Sequence, residues 1–204
     1  MPATLRPSPA TVPGAPAPAD PAPALRALRE VVARHHYDTI HRIHCWELAP
    51  RWLDASLRRT VGSAPAPTQA LFRLLCFGEA VGAPALERAL GTECAQALHA
   101  AGLLVANADG ITARYRLDVV GDQMLLVEWP ATRATGVYYG EDSQFLRAVL
   151  APRAGEACLD LCTGSGVQAL RCASVAARVD AVDLNPAAVQ LARMNAVLNG
   201  VADR

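Results

Sequence analysis

Apolar positions recur at three- and four-residue spacing through the first half of the chain, then give way to short unbroken runs. Leu25, Leu28, Val31 and Val32 form one stripe, with Arg26, Arg29, Glu30 and Arg34 opposite, which predicts an amphipathic helix over residues 25–37. Further helices are predicted over 37–48 and 51–59, followed by a linker, "GSAPAPT", at 62–68. Thr68 is placed to cap a helix running to residue 81, with Leu71, Leu74 and Leu75 inward. Gly82 and Pro84 start a short helix over 85–90, and Gly91 and Thr92 introduce a third over 92–101. "LLVAN" then meets "ITARYRL" across Asp109-Gly110, a hairpin signal, and "QMLLVEW" follows the Gly121-Asp122 turn as a third strand.

From residue 137 the period changes. A helix ("SQFLRAVLA"), a strand ("ACLDLC"), a glycine turn, a helix ("VQALRCASVAA"), a strand ("RVDAVDL") and a helix ("PAAVQLARMNAVLN") succeed one another. This is the βαβα alternation of an α/β fold with a parallel, doubly wound sheet. The chain therefore divides into a Pro/Ala-rich leader over 1–24, a helical and winged-helix-like α+β unit over 25–133, and the start of an α/β unit over 134–204.

Composition narrows the function classes. Basic and acidic residues balance at 19 each, so charge gives no pull toward nucleic acid or an acidic membrane. Every basic residue is Arg, which excludes a catalytic or Schiff-base lysine within the chain. Six Cys without a CxxC pair read as free thiols of a reducing cytosol. The leader lacks the apolar core of a signal peptide and no uncharged run is long enough to span a bilayer, so the expectation is a cytoplasmic protein with no membrane partner. His36, His41 and His44, near Asp38 and Cys45, lack a recognised ligand spacing and are read as packed or solvated, not as a metal site. The third helix of the winged-helix outline, "ECAQALHAA", has no Arg and leads with Glu93. That argues against DNA binding and for a packing, dimerising or substrate-presenting role.

The segment "LDLCTGSGVQAL" carries the candidate chemistry. A P-loop is excluded because Val167, not Lys, follows Gly166. Gly164, Gly166 and Ala169 satisfy the dinucleotide pattern GxGxxA, with Asp183 downstream; on the motif alone, that reading and a plain βα turn both stand. Two further features bear on the ligand. Asp160 puts a carboxylate where a pyrophosphate would sit, which a cationic or zwitterionic ligand tolerates better. "VDLNP" places Asp183 to take both ribose hydroxyls, with Asn185 as helix N-cap and Pro186 at the first helical position.

"CLDLCTGSGVQAL" followed by "VDAVDLNPAAVQLARMNAVLNG" resembles the first two motifs of class I S-adenosylmethionine-dependent methyltransferases, closest to the HemK-like and "methyltransferase small domain" groups. "VYYGEDSQFL" (137–146) is similar to the segment preceding the first motif in HemK-like enzymes, so the resemblance covers residues 137–200, about a third of the chain. It implies a Rossmann-like sheet, S-adenosyl-L-methionine as cofactor, and in-line transfer of its methyl group without a metal. It also implies that Asp160, Thr163, Gly164 and Gly166 line the methionine part, that Asp183 holds the ribose and that Leu184 packs beside the adenine. Glu141 and Asp142 are then expected near the amino-acid end. Asn185 completes the set, with Cys162 as a small residue where many members have glycine. The acceptor implied is a nitrogen on protein (a glutamine amide) or RNA, or a small molecule, and the N-terminal unit is a candidate homodimer surface. The family's sheet has seven strands and its acceptor segment, Asn-Pro-Pro-Tyr/Phe, does not occur here. The sequence is accordingly expected to be the N-terminal part of a longer enzyme, inactive alone, with its catalytic residues beyond Arg204. Two alternatives remain at this level: an NAD-dependent oxidoreductase and a non-enzymatic winged-helix DNA-binding regulator.

Overall fold

The computed structural model describes residues 19–44, 52–129 and 136–204. Helix α1 (Ala22–Arg34) buries the predicted stripe of Leu25, Leu28, Val31 and Val32. It opens at Ala22, inside what the sequence reads as leader, because Pro21 and Pro23 preset the first turn and Ala24 is already buried. Helix α2 (Tyr37–His44) follows; residues 45–48 of the expected second helix lie outside the described residues, as do 1–18 and the joint at 130–135. Helix α3 (Trp52–Gly62) runs three residues past its expected end.

Helix α4 (Ala66–Leu75) corrects two expectations. It starts before Thr68, with Pro67 in its first turn, and the Thr68 hydroxyl is not a cap but donates to His35 O at 3.3 Å. It also stops short of residue 81. Cys76 and Phe77 both direct their N–H groups to Phe72 O, and Gly78 then turns away at φ +68°. The Trp129 ring lies against Gly78, where a Cβ would come within 3.1 Å of it. Helices α5 (Ala83–Leu90) and α6 (Thr92–Ala100) meet at Gly91, φ +79°, which is the N-cap of α6 in place of the expected Thr92.

The predicted three-strand run is two separate hairpins. Strands β1 (Leu104–Asn107) and β2 (Gly110–Ala113) pair antiparallel, and Val81 bridges to Ile111 on the outer side. "ITARYRL" breaks at Arg114, whose N–H turns to Leu103 O, while Trp129 Nε1 takes Ala113 O. Strands β3 (Tyr115–Val120) and β4 (Gln123–Glu128) form the second hairpin.

The rest follows the predicted alternation: α7 (Glu141–Val149), β5 (Ala157–Leu161), α8 (Val167–Ala173), β6 (Arg178–Val182) and α9 (Pro186–Asn199), with β5 and β6 parallel. Leu159 and Leu161 on β5 are 63% and 66% exposed, so one face of this strand pair is bare of helices.

One buried cluster joins the two halves. Leu25, Leu28 and Val32 of α1 share it with Leu191, Met194 and Leu198 of α9. Tyr37 stacks on Phe72 at 4.3 Å and donates its hydroxyl to Leu117 O at 2.7 Å, tying α2 to β3. Strand β4 is buried on both faces. Leu126 faces this cluster, while Leu125 and Val127 pack on Val167 and Leu170 of α8. Among the described residues no helix is long and apolar enough to cross a membrane.

Candidate functional site

The carboxyl ends of β5 and β6 open into a cavity of about 500 Å³, within the range of small-molecule sites. Its walls come from the 136–138 segment, the start of α7, the glycine turn and the first residues of α9. Asp142, Asp160, Cys162, Thr163, Gly164, Asp183 and Asn185 all line it.

Asp160 has a structural task that its place in the strand does not announce. Its Oδ2 accepts from Thr163 Oγ1 at 2.6 Å and from Ala169 N at 3.1 Å. Ala169 is the third residue of α8, and the N-cap of that helix, Gly166, has no side chain to satisfy the free N–H groups. Asp160 therefore caps α8 from the neighbouring strand and sets a negative charge at its positive end. A dinucleotide site leaves that helix end open for pyrophosphate.

Asp183 is held just as firmly. Its Oδ2 accepts from Gly164 N at 2.9 Å and its Oδ1 from Asn185 N at 2.8 Å. Each oxygen keeps acceptor capacity for one further donor, such as a ribose hydroxyl. Asn185 caps α9 as predicted, accepting from Ala187 N at 3.0 Å, with Pro186 following. The turn itself runs through three left-handed residues: Cys162 at φ +60°, Gly164 at +55° and Gly166 at +83°. For Cys162 this is a conformation that a residue with a Cβ rarely adopts.

The two glycines differ in use. A Cβ on Gly164 would meet only Tyr138 O, at 3.6 Å, so this position is open toward the cavity. A Cβ on Gly166 would sit 3.0 Å from Ala192 Cβ, so this glycine lets α8 approach α9, and it does not line the cavity. Glu141 also lies outside the lining, as does Leu184, whose side chain is fully exposed. The structure thus gathers seven of the ten expected residues on one cavity and leaves Glu141, Gly166 and Leu184 off it.

Sequence reasoning missed several neighbours. Tyr138, Ser143, Leu146 and Gln168 line the same cavity, and Gln168 Nε2 donates to Ser143 O at 3.0 Å, joining α8 to α7. Only "VYYGEDSQFL" pointed to this wall. Two of the described thiols are poor nucleophiles: burial raises Cys94 to about 11, and burial together with Cys158 raises Cys172 to about 11. His41 is buried beside Asp118 at 3.8 Å, and among the described residues no group of three metal-binding side chains occurs.

Residues 144–204 match the family of ribosomal protein L11 methyltransferases (PrmA). A stretch of 45 residues is 51% identical to the ribosomal protein L11 methyltransferase of Desulfitobacterium hafniense (strain DSM 10664 / DCB-2). That stretch is 22% of this chain and spans only 14% of the relative's length. Both similarities support a class I methyltransferase for the C-terminal part.

Proposed function

We propose that the chain carries the cofactor-binding part of an S-adenosylmethionine-dependent methyltransferase that modifies a nitrogen on a protein, with a ribosomal-protein acceptor like that in the relative's name. The observation that carries the cofactor reading is the Asp160 carboxylate bonded to the first turn of α8, where a pyrophosphate would otherwise bind. The methyltransferase match over residues 144–204 supports the same reading. RNA and small molecules are the remaining acceptor classes.

The residues fit this cofactor. The cavity of about 500 Å³ has room for it, and its lining carries three carboxylates, Asp142, Asp160 and Asp183, with Gly164, whose missing side chain leaves the turn open. Asp183 accepts from the ribose hydroxyls, while Asp160, Thr163 and Asp142 surround the zwitterionic methionine end. Gly164 lets the backbone come close. Leu184, exposed next to Asp183 and outside the cavity lining, is free to cover the adenine where it emerges from the cavity. When bound, S-adenosylmethionine supplies an electrophilic sulfonium methyl group. The chain's contribution is to hold that end still and keep bulk water from it. The three helices and first hairpin (α4 to β2) make a winged-helix-like unit that presents the acceptor or a second copy of the chain.

The test is an amide NMR titration, which detects millimolar binding. S-adenosylhomocysteine is expected to shift Thr163, Gly164, Asp183 and Asn185, while NAD leaves them in place. Shifts with NAD and none with S-adenosylhomocysteine would overturn the reading in favour of an oxidoreductase.

A further inference from the structure

Asn195 lies on α9, fully buried, with its carboxamide used on three sides. Its Oδ1 accepts from Leu126 N at 2.7 Å; its Nδ2 donates to Leu126 O at 3.0 Å and to Ser165 O at 2.8 Å. The first two bonds are those a neighbouring strand would make with the free edge of β4. One helical turn on, Asn199 repeats them on Met124, accepting at 2.9 Å and donating at 2.6 Å. The repeats match: four helical residues rise about 6 Å and two strand residues about 6.7 Å. The helix thus stands in for a strand along β4.

The third bond separates the two asparagines. The spare Asn199 N–H returns to Asn195 O within α9. The Asn195 one reaches into the glycine turn, to the carbonyl of buried Ser165 between two left-handed glycines. That carbonyl lies outside the strand and helix ladders, and a buried carbonyl left unbonded is costly. The same hairpin is fastened nearby. Gln123 Nε2 donates to Leu170 O at 2.6 Å, and Gln123 Oε1 accepts from Arg147 of α7 at 3.2 Å.

We propose that Asn195 is a positioning residue for the glycine turn. By gripping the β4 edge and Ser165 O with one carboxamide, it fixes the path on which Gly164 N meets Asp183. The seating of the β3–β4 hairpin therefore sets the geometry of the cofactor cradle. This inference rests on the cofactor reading above.

The experiment compares N195D with N199D in the whole chain. Each substitution keeps size and an acceptor oxygen but removes the donors to β4; only N195D also releases Ser165 O. Two quantities are read: amide hydrogen exchange of Gly164 and Gly166 in ligand-free protein, and the Kd of S-adenosylhomocysteine by NMR. For N195D we expect exchange faster by about tenfold or more at both glycines and a Kd raised by about tenfold or more. N199D should stay within about twofold of the parent on both measures, although its Tm falls comparably. An N195D protein within twofold of the parent, or an N199D protein as strongly affected, would overturn the proposal. Should N195D fail to fold by circular dichroism, N195S, uncharged and small enough to admit water, is judged by the same criteria. A parent chain that does not bind S-adenosylhomocysteine counts against the cofactor reading, while the exchange rates still decide the positioning role.

Discussion

Asp160 and Asp183 both line the cavity and both hold backbone amides, but only Asp160 caps α8. Asp160 serves a helix end, so D160A should cost about 1 kcal/mol of stability in urea unfolding, the usual loss for a missing N-cap. D160N, which keeps an acceptor oxygen, should retain most of it. Asp183 is fixed by two backbone amides and faces the cavity. D183N can accept from only one of its two backbone amides, so it should weaken S-adenosylhomocysteine about tenfold or more while also loosening the glycine turn. The NMR titration that tests the cofactor would show this as a loss of affinity without a loss of dispersed resonances. An unchanged Kd in D183N would refute a role for Asp183 in holding the ligand.

At the scale of elements, the βαβα half was legible because glycine, N-cap and Pro signals fall at its boundaries, as at Gly166 and at Asn185-Pro186. The first half was less so. Thr68 looks like a cap by residue type, yet Pro67 starts α4 earlier and burial decides where Thr68 points. The break at Arg114 had no local signal, because it is made by a partner eleven residues back, Leu103, and by the Trp129 indole. In the site, Asp183 and Asn185 were readable from local spacing. The cap that Asp160 gives to α8 was not, since nothing in a strand's sequence names the helix it will serve. Gly166 illustrates the same limit. It satisfies a ligand-binding pattern, but its lack of a side chain is used for packing against Ala192. G166A combines a left-handed φ with that close approach and should destabilise the protein by more than about 1 kcal/mol. Chemical denaturation will check this, and G164A, with no such neighbour, should lose less.

The whole molecule is joined by contacts far apart in sequence, and one of them gives it a pH dependence. Burial alone would raise the Asp118 carboxyl, but His41 and Arg116 outweigh it and hold it below the usual carboxylate range. A depressed value in the folded state means the stabilisation is complete above the unfolded value of about 3.9 and disappears as pH falls through the lower folded one. The Asp118 contribution to thermal stability should therefore be lost as pH falls below about 4. D118N should be less stable at neutral pH and show a shallower acid limb. A parallel acid limb in the two proteins would remove Asp118 as its source.

The asparagine pair on α9 also has a meaning in time. During synthesis, Met124 leaves the ribosome 75 residues before the Asn199 that will cover it. At about 5–20 residues per second, the β4 edge stands uncovered for roughly 4–15 seconds, with its N–H and C=O groups ready to pair with any extended chain nearby. In that interval the β4 edge is open to strand-to-strand association, and completion of α9 covers it.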